Sequence, residues 1–214
     1  MRGHDPSVAL RFAARVVLDP SHAVGRWRAM TGGKAVGCIP PIPVPEILHA
    51  AGLLPVPWAA PETPDALRSR LDGWVIARAG PVSQGRGDGK SLFEFPANRP
   101  ADPASALDLL ESLAEWSGAL SGRPVTEGNL WKSIRAYRER DALLLLLGNS
   151  EMGGGGFPPV GERRNLARAG DFLPPEAHSL LLARALRVSY PATPWTFEEE
   201  REDPLLRLAR RWIA

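Results

Sequence analysis

The chain predicts an α/β fold, a small parallel Rossmann-like sheet with flanking helices and a helical C-terminal portion, and three observations lead there. The first is Lys34 to Trp58, KAVGCIPPIPVPEILHAAGLLPVPW, which reads as strand, loop, helix and strand. The second is the make-up of the short apolar runs in that stretch and after it. Their small and β-branched residues run without polar alternation, as in parallel strands buried on both faces. The third is a change of period from about residue 101, where apolar residues begin to recur at helical spacing.

Taken in order, Ser7 to Leu18 places Val8, Ala9, Phe12, Ala13 and Val16 at helical spacing. Ser7 is the expected N-cap, and Asp19 and Pro20 end the helix. A second short helix is expected from His22 to Met30. Ala35 to Ile39 is the first strand. Pro45 can open the next helix, because its fixed φ and missing N–H cost nothing in a first turn. Ile47, Leu48 and Ala51 give that helix an apolar face, and Gly52 ends it in a left-handed conformation. Leu53 to Trp58 completes a βαβ unit, which puts Cys38 to Glu46 at the end where such units bind ligands.

A helix from Pro64 to Leu71 and strands at Trp74 to Ala77 and Ser91 to Phe95 follow, about four strands in all, few for a sheet. Two long helices come next. One carries Ala106, Leu109, Leu110, Leu113, Ala114 and Ser117 on one face, the other Leu130, Ile134, Tyr137 and Leu143 to Leu147. They are expected to pair as a hairpin through Gly122 and Pro124. Glu151 to Val160 reads as a flexible connector, Ala177 to Val188 as an amphipathic helix and Asp203–Pro204 as the start of a last one. The expected organisation is an N-terminal helical segment over 1–30, an α/β lobe over 31–100 and a helical portion over 101–214. No internal repeat is present.

A chain of 214 residues with seven tryptophans can bury one good core and a helical annex. The net charge is only +2, and no basic block stands out that would track phosphates, so nucleic acid is not an expected partner. Arg163, Arg164 and Arg168 read as an exposed helix face. One cysteine excludes an intrachain disulfide and fits a reducing compartment. The first residues lack a signal-peptide core, and the longest apolar run, Ala142 to Leu147, is far too short to span a bilayer. A soluble, cytoplasmic protein with no membrane partner is expected.

Gly37, a turn, then Glu46, His49, Ala50, Ala51, Gly52, Leu53, Leu54, Pro55 and Val56 form a pattern that resembles the N-terminal signature of the 2-hydroxyacyl-CoA dehydratase and benzoyl-CoA reductase subunits (2-hydroxyglutaryl-CoA dehydratase D-component type). Ser117 to Arg140 resembles that family's helix pair, with Gly122, Val125, Thr126, Leu130, Ile134, Tyr137 and Glu139 on its positions. Ala169 to Leu182 and Asp203 to Trp212 resemble two further family segments. The resemblance implies a Rossmann-like lobe, heterodimers, an acyl-CoA substrate and a [4Fe–4S] cluster.

The departures from that pattern carry chemistry. The loop position that in the family often bears a cluster-ligating cysteine or a substrate-facing serine falls on Pro40, beside Pro41, and neither side chain can bind iron or donate a hydrogen bond. Cys38 falls two residues early. The family's second cysteine falls near Gly80. The domain bearing the third is expected to be missing, since only a short Pro-rich and acidic segment joins Val188 to Asp203. A [4Fe–4S] cluster needs several converging thiolates, and this chain has one cysteine in total. It is therefore expected to bind no cofactor alone, with any [4Fe–4S] cluster held by a partner. Cys38 reads as a buried apolar thiol, and as a shared-cluster ligand only in the alternative.

Among other candidates, Gly85 to Ser91, GRGDGKS, ends like a phosphate loop, but Gln84 stands where the first glycine is needed and a strand follows where a helix must open. A mobile surface loop is expected there, and a hinge at Gly153 to Gly156. Glu46, at a helix start beyond a strand, is the remaining acid–base candidate, with His49 one turn on, although the bland role of Glu46 is to complement the helix N-terminus. His4, His22 and His178 show no zinc spacing, and no metal site is expected. Trp58, Trp74 and Trp131 are expected in the core, and Trp195 on a loop that docks elsewhere. Three functions follow: a non-catalytic accessory or structural subunit pairing with a larger cluster-bearing one; an acyl-CoA or small-ligand binding module without redox chemistry; or an enzyme subunit sharing a partner's cluster.

Overall fold

A computed structural model describes residues 6–39, 44–58, 65–78, 83–87, 89–97, 102–149 and 158–188. In chain order its elements are α1 (Pro6–Leu18), α2 (Pro20–Thr31), β1 (Lys34–Ile39), α3 (Pro45–Ala50), β2 (Leu53–Pro57), α4 (Asp65–Arg68), β3 (Gly73–Arg78), β4 (Ser83–Gly87), β5 (Lys90–Pro96), α5 (Pro103–Ser121), α6 (Glu127–Asn149), α7 (Val160–Ala169) and α8 (Pro175–Leu186). The loop prolines Pro40, Pro41 and Pro43, together with Gly80, Gly153 to Gly156, His4, Trp195 and the segment from Asp203 to Trp212, lie outside the described residues.

The described chain forms two compact units, one of residues up to 24 with those from 134 on, the other of residues 25–133. These boundaries differ from the three consecutive segments the composition suggests. The N-terminal helix joins the later helices, and α5 joins the sheet. Apolar stripes in sequence mark the faces that pack but not which stripe each one meets.

In the sheet unit the strand order is β2-β1-β3-β5-β4. β1 pairs in parallel with both β2 and β3, and β3 pairs in parallel with β5, so the expected four-stranded parallel sheet is present. A fifth strand extends it. β4 runs antiparallel to β5, with Gly87 opposite Lys90, so the Gly85 to Ser91 stretch is the tip of a hairpin and not a mobile loop. Gly89 turns it at φ +74°, a conformation open to glycine.

The βαβ unit follows its sequence closely. Pro45 opens α3, Ile47 and Leu48 are fully buried, and Gly52 takes φ +79° just beyond the Ala51 cap. On one face of the sheet α5 covers β5. Trp116 donates its indole N–H to Ser91 Oγ at 3.0 Å and tilts against the fully buried Phe93, their centroids 5.7 Å apart. α5 also packs on α3. Its apolar stripe is spent on helix-on-sheet packing. Asp102 caps it by accepting from the Ser105 N–H, and those bonds hold the Asp102 carboxyl below its usual pKa. On the opposite face, Trp74 lies across Gly37, where a β-carbon would sit 2.4 Å from the indole, and meets Trp58 edge-on at 5.2 Å. Trp74 is buried; Trp58 and Trp131 are half-buried.

The helical unit packs α1 against α7 and α8 through Ala9, Ala13 and Val16. Val8 and Phe12, counted in the same stripe by spacing, are 54% and 45% exposed. Ser7 lies inside α1, not at its cap. Asp19 and Pro20 do more than end α1: Asp19 Oδ1 accepts from the His22 N–H at 2.9 Å and Pro20 is the first residue of α2, an N-cap followed by a first-turn proline. Leu166, Leu182 and Leu143 are fully buried in this unit. Each stabilises it by about 1.5–3 kcal/mol relative to exposure.

Candidate functional site

The connection from β1 leads to β2 on one side, while β3 lies on the other, so the strand order reverses between β1 and β3. In open α/β sheets, ligands bind beyond the C-terminal strand ends at such a point. α3 starts there, and Glu46 is the acid of its first turn, half-buried. The fold therefore puts Glu46 where the strand-loop-helix pattern suggested.

His49 is half-buried one turn along α3. Its Nδ1 lies 2.9 Å from Ser133 Oγ, on the first turns of α6, and that hydroxyl in turn donates to the Glu46 backbone carbonyl at 2.7 Å. The structure thus links the two candidates through a third residue, buried Ser133, which sequence spacing missed. A signal was present: Leu130, Ser133, Ile134 and Tyr137 lie on one helical stripe, and a serine interrupts it.

Cys38 is 2% exposed inside β1, its thiol directed at the Val36 carbonyl 3.7 Å away. Burial pushes the thiol pKa up to about 12, with the Val56 backbone hydrogen bond opposing it more weakly. Such a thiol is protonated at neutral pH, whereas iron ligation needs the thiolate. Among the described residues no three His, Cys, Asp or Glu side chains gather to hold a metal ion. With one cysteine in the chain, and that one sealed in the sheet, the donor set does not fit a [4Fe–4S] cluster.

At the N-terminal end of the sheet a second polar network went unforeseen. Asp72 accepts from Arg28 at 2.9 Å with one oxygen and from the Ala35 N–H at 2.9 Å with the other, and Arg28 also donates to the Arg70 carbonyl. Lys90, the lysine of the phosphate-loop-like stretch, donates to the carbonyls of Arg68 and Leu71 at 2.6 and 2.7 Å. Its pKa is lowered, chiefly by desolvation, with nearby Asp72 pulling the other way. These bonds tie the turn before β3 to α2, β1 and β5, so Lys90 serves the fold and not a phosphate.

His178 in the helical unit is 1% exposed, and its Nε2–H donates to the Leu166 carbonyl at 2.8 Å. Nearby Asp171 has a raised pKa, burial outweighing the attraction of Arg168 and Arg140. His178 belongs to the packing of α7 and α8. No described helix is long and apolar enough to cross a membrane. In comparisons with known proteins, no family model matches the chain and no curated protein matches it.

Proposed function

We propose that this chain is a cluster-less accessory or structural subunit of the 2-hydroxyacyl-CoA dehydratase and benzoyl-CoA reductase kind, working in the cytoplasm by pairing with a larger subunit that carries the [4Fe–4S] cluster. The observation that carries the reading is a contrast within one βαβ unit. The acid Glu46 keeps its place at the β1/β3 switch point, while the position that would bear a ligating cysteine is Pro40 and the sole thiol, Cys38, is buried and protonated within β1. Electron delivery then belongs to the partner. The order of four sequence blocks supports the same assignment.

The test is co-expression with a larger, cluster-bearing subunit of such a complex, followed by anaerobic size-exclusion chromatography with iron analysis and a visible spectrum. This chain is expected to be colourless alone and to co-elute with a brown partner. Brown colour from the isolated chain, or separate elution of the two, overturns the proposal. A second reading, an acyl-CoA or small-ligand module, is favoured by Glu46 at the switch point. It predicts a raised melting temperature with CoA thioesters that Glu46→Gln diminishes.

A further inference from the structure

We infer that Ser133 is the positioning residue of the Glu46–His49 pair: it holds neutral His49 as the Nδ1–H tautomer and leaves Nε2 as its basic nitrogen. A count of protons fixes the tautomer. Ser133 Oγ has one hydrogen and lies 2.7 Å from the Glu46 carbonyl oxygen and 2.9 Å from His49 Nδ1. A carbonyl oxygen can only accept. If the hydroxyl proton pointed to Nδ1, two oxygen lone pairs would face each other at 2.7 Å with nothing between them. The proton therefore lies toward Glu46, and Nδ1 must supply its own to bond Oγ. The hydrogen bond at one ring nitrogen decides the role of the other, so Nε2 keeps the lone pair.

The consequence is directional. In a neutral imidazole of that tautomer, Nε2 of His49 is a hydrogen-bond acceptor and not a donor. His178 has the reverse arrangement, since the Leu166 carbonyl requires the hydrogen on Nε2. One chain thus holds both tautomers. The place of Ser133 in a functional site rests on the reading above, whereas the tautomer is measured without partner or ligand, so the two fail separately.

The experiment is long-range 1H–15N correlation of the imidazole nitrogens in the full chain, above the histidine titration range, with His49→Gln and His178→Gln identifying two of the four histidines. The expected wild-type result is the Nδ1–H pattern for His49 and the Nε2–H pattern for His178. In Ser133→Ala the His49 pattern should shift toward Nε2–H, and Ser133→Thr, which keeps a hydroxyl, should retain the original. An Nε2–H pattern for His49 in the wild type, or an unaltered pattern in a folded Ser133→Ala, overturns the inference. If Ser133→Ala does not fold, the wild-type spectrum alone decides.

Discussion

His49 and His178 show how differently the two units accommodate a polar ring. In the sheet unit, His49 is half-buried and shares a hydroxyl with a backbone carbonyl, so its polarity links α3 to α6. In the helical unit, His178 is sealed: one nitrogen donates to Leu166, the ring lies on Gly170, and Nδ1 is buried without a hydrogen-bond partner. The difference follows from architecture. Strand starts and the turns between them leave backbone groups that need partners, and side chains such as Asp72 and Lys90 supply them. Helices satisfy their own backbone, so the helical unit joins them mainly by apolar contact and tolerates a buried imidazole only while it is neutral.

The largest expected effect tests whether the units are distinct. Phe93→Ala should lower unfolding free energy by about 4 kcal/mol in urea titration, with hydrogen exchange accelerated over residues 25–133. Equal acceleration in both units would show that they unfold as one.

Next comes the pH dependence of the sealed histidine. Burial depresses the His178 pKa from 6.5 to about 4, so between those values the unfolded chain binds more protons than the folded one. Stability should be full above pH 6.5, decline as pH falls through the window by about 3 kcal/mol, and level off below it. His178→Gln should flatten that part of the profile, measured by urea midpoints at several pH values.

Gly170→Ala probes the same corner sterically. Its β-carbon would lie 2.3 Å from the His178 ring, which should cost about 2 kcal/mol by thermal or chemical denaturation. Asp72→Ala strikes the polar joints of the sheet unit, removing an ion pair and the bond to the Ala35 N–H, with an expected loss of about 1.5 kcal/mol. The smallest effect is kinetic. Cys38 should resist a thiol reagent in the folded protein and react rapidly once denatured; fast native labelling would contradict its burial.

The βαβ unit was legible because every local cue agreed: an apolar run, a first-turn proline, an apolar helix face, a glycine stop and a second run. Glu46 was legible for the same reason, since its place depends only on that unit. The hairpin at Gly85 to Ser91 was missed because glycine-rich polar residues look alike in a loop and in an edge strand, whose ladder bonds come from the neighbouring β5. Val8 and Phe12 were misplaced because a stripe shows a direction, not its width.

By itself the sequence determined the parallel sheet, the helices and the switch-point acid, since strand and helix periods and turn residues act through neighbours along the chain. Tertiary structure alone decided which polar residues matter. Ser117 and Ser133 both interrupt apolar helical stripes, yet Ser117 donates back to the Leu113 carbonyl in its own helix, while Ser133 reaches another element to bond Glu46 and His49. The physical reason is that a hydroxyl's partner is whichever acceptor packing brings within reach, and spacing along one helix carries no record of what lies across from it.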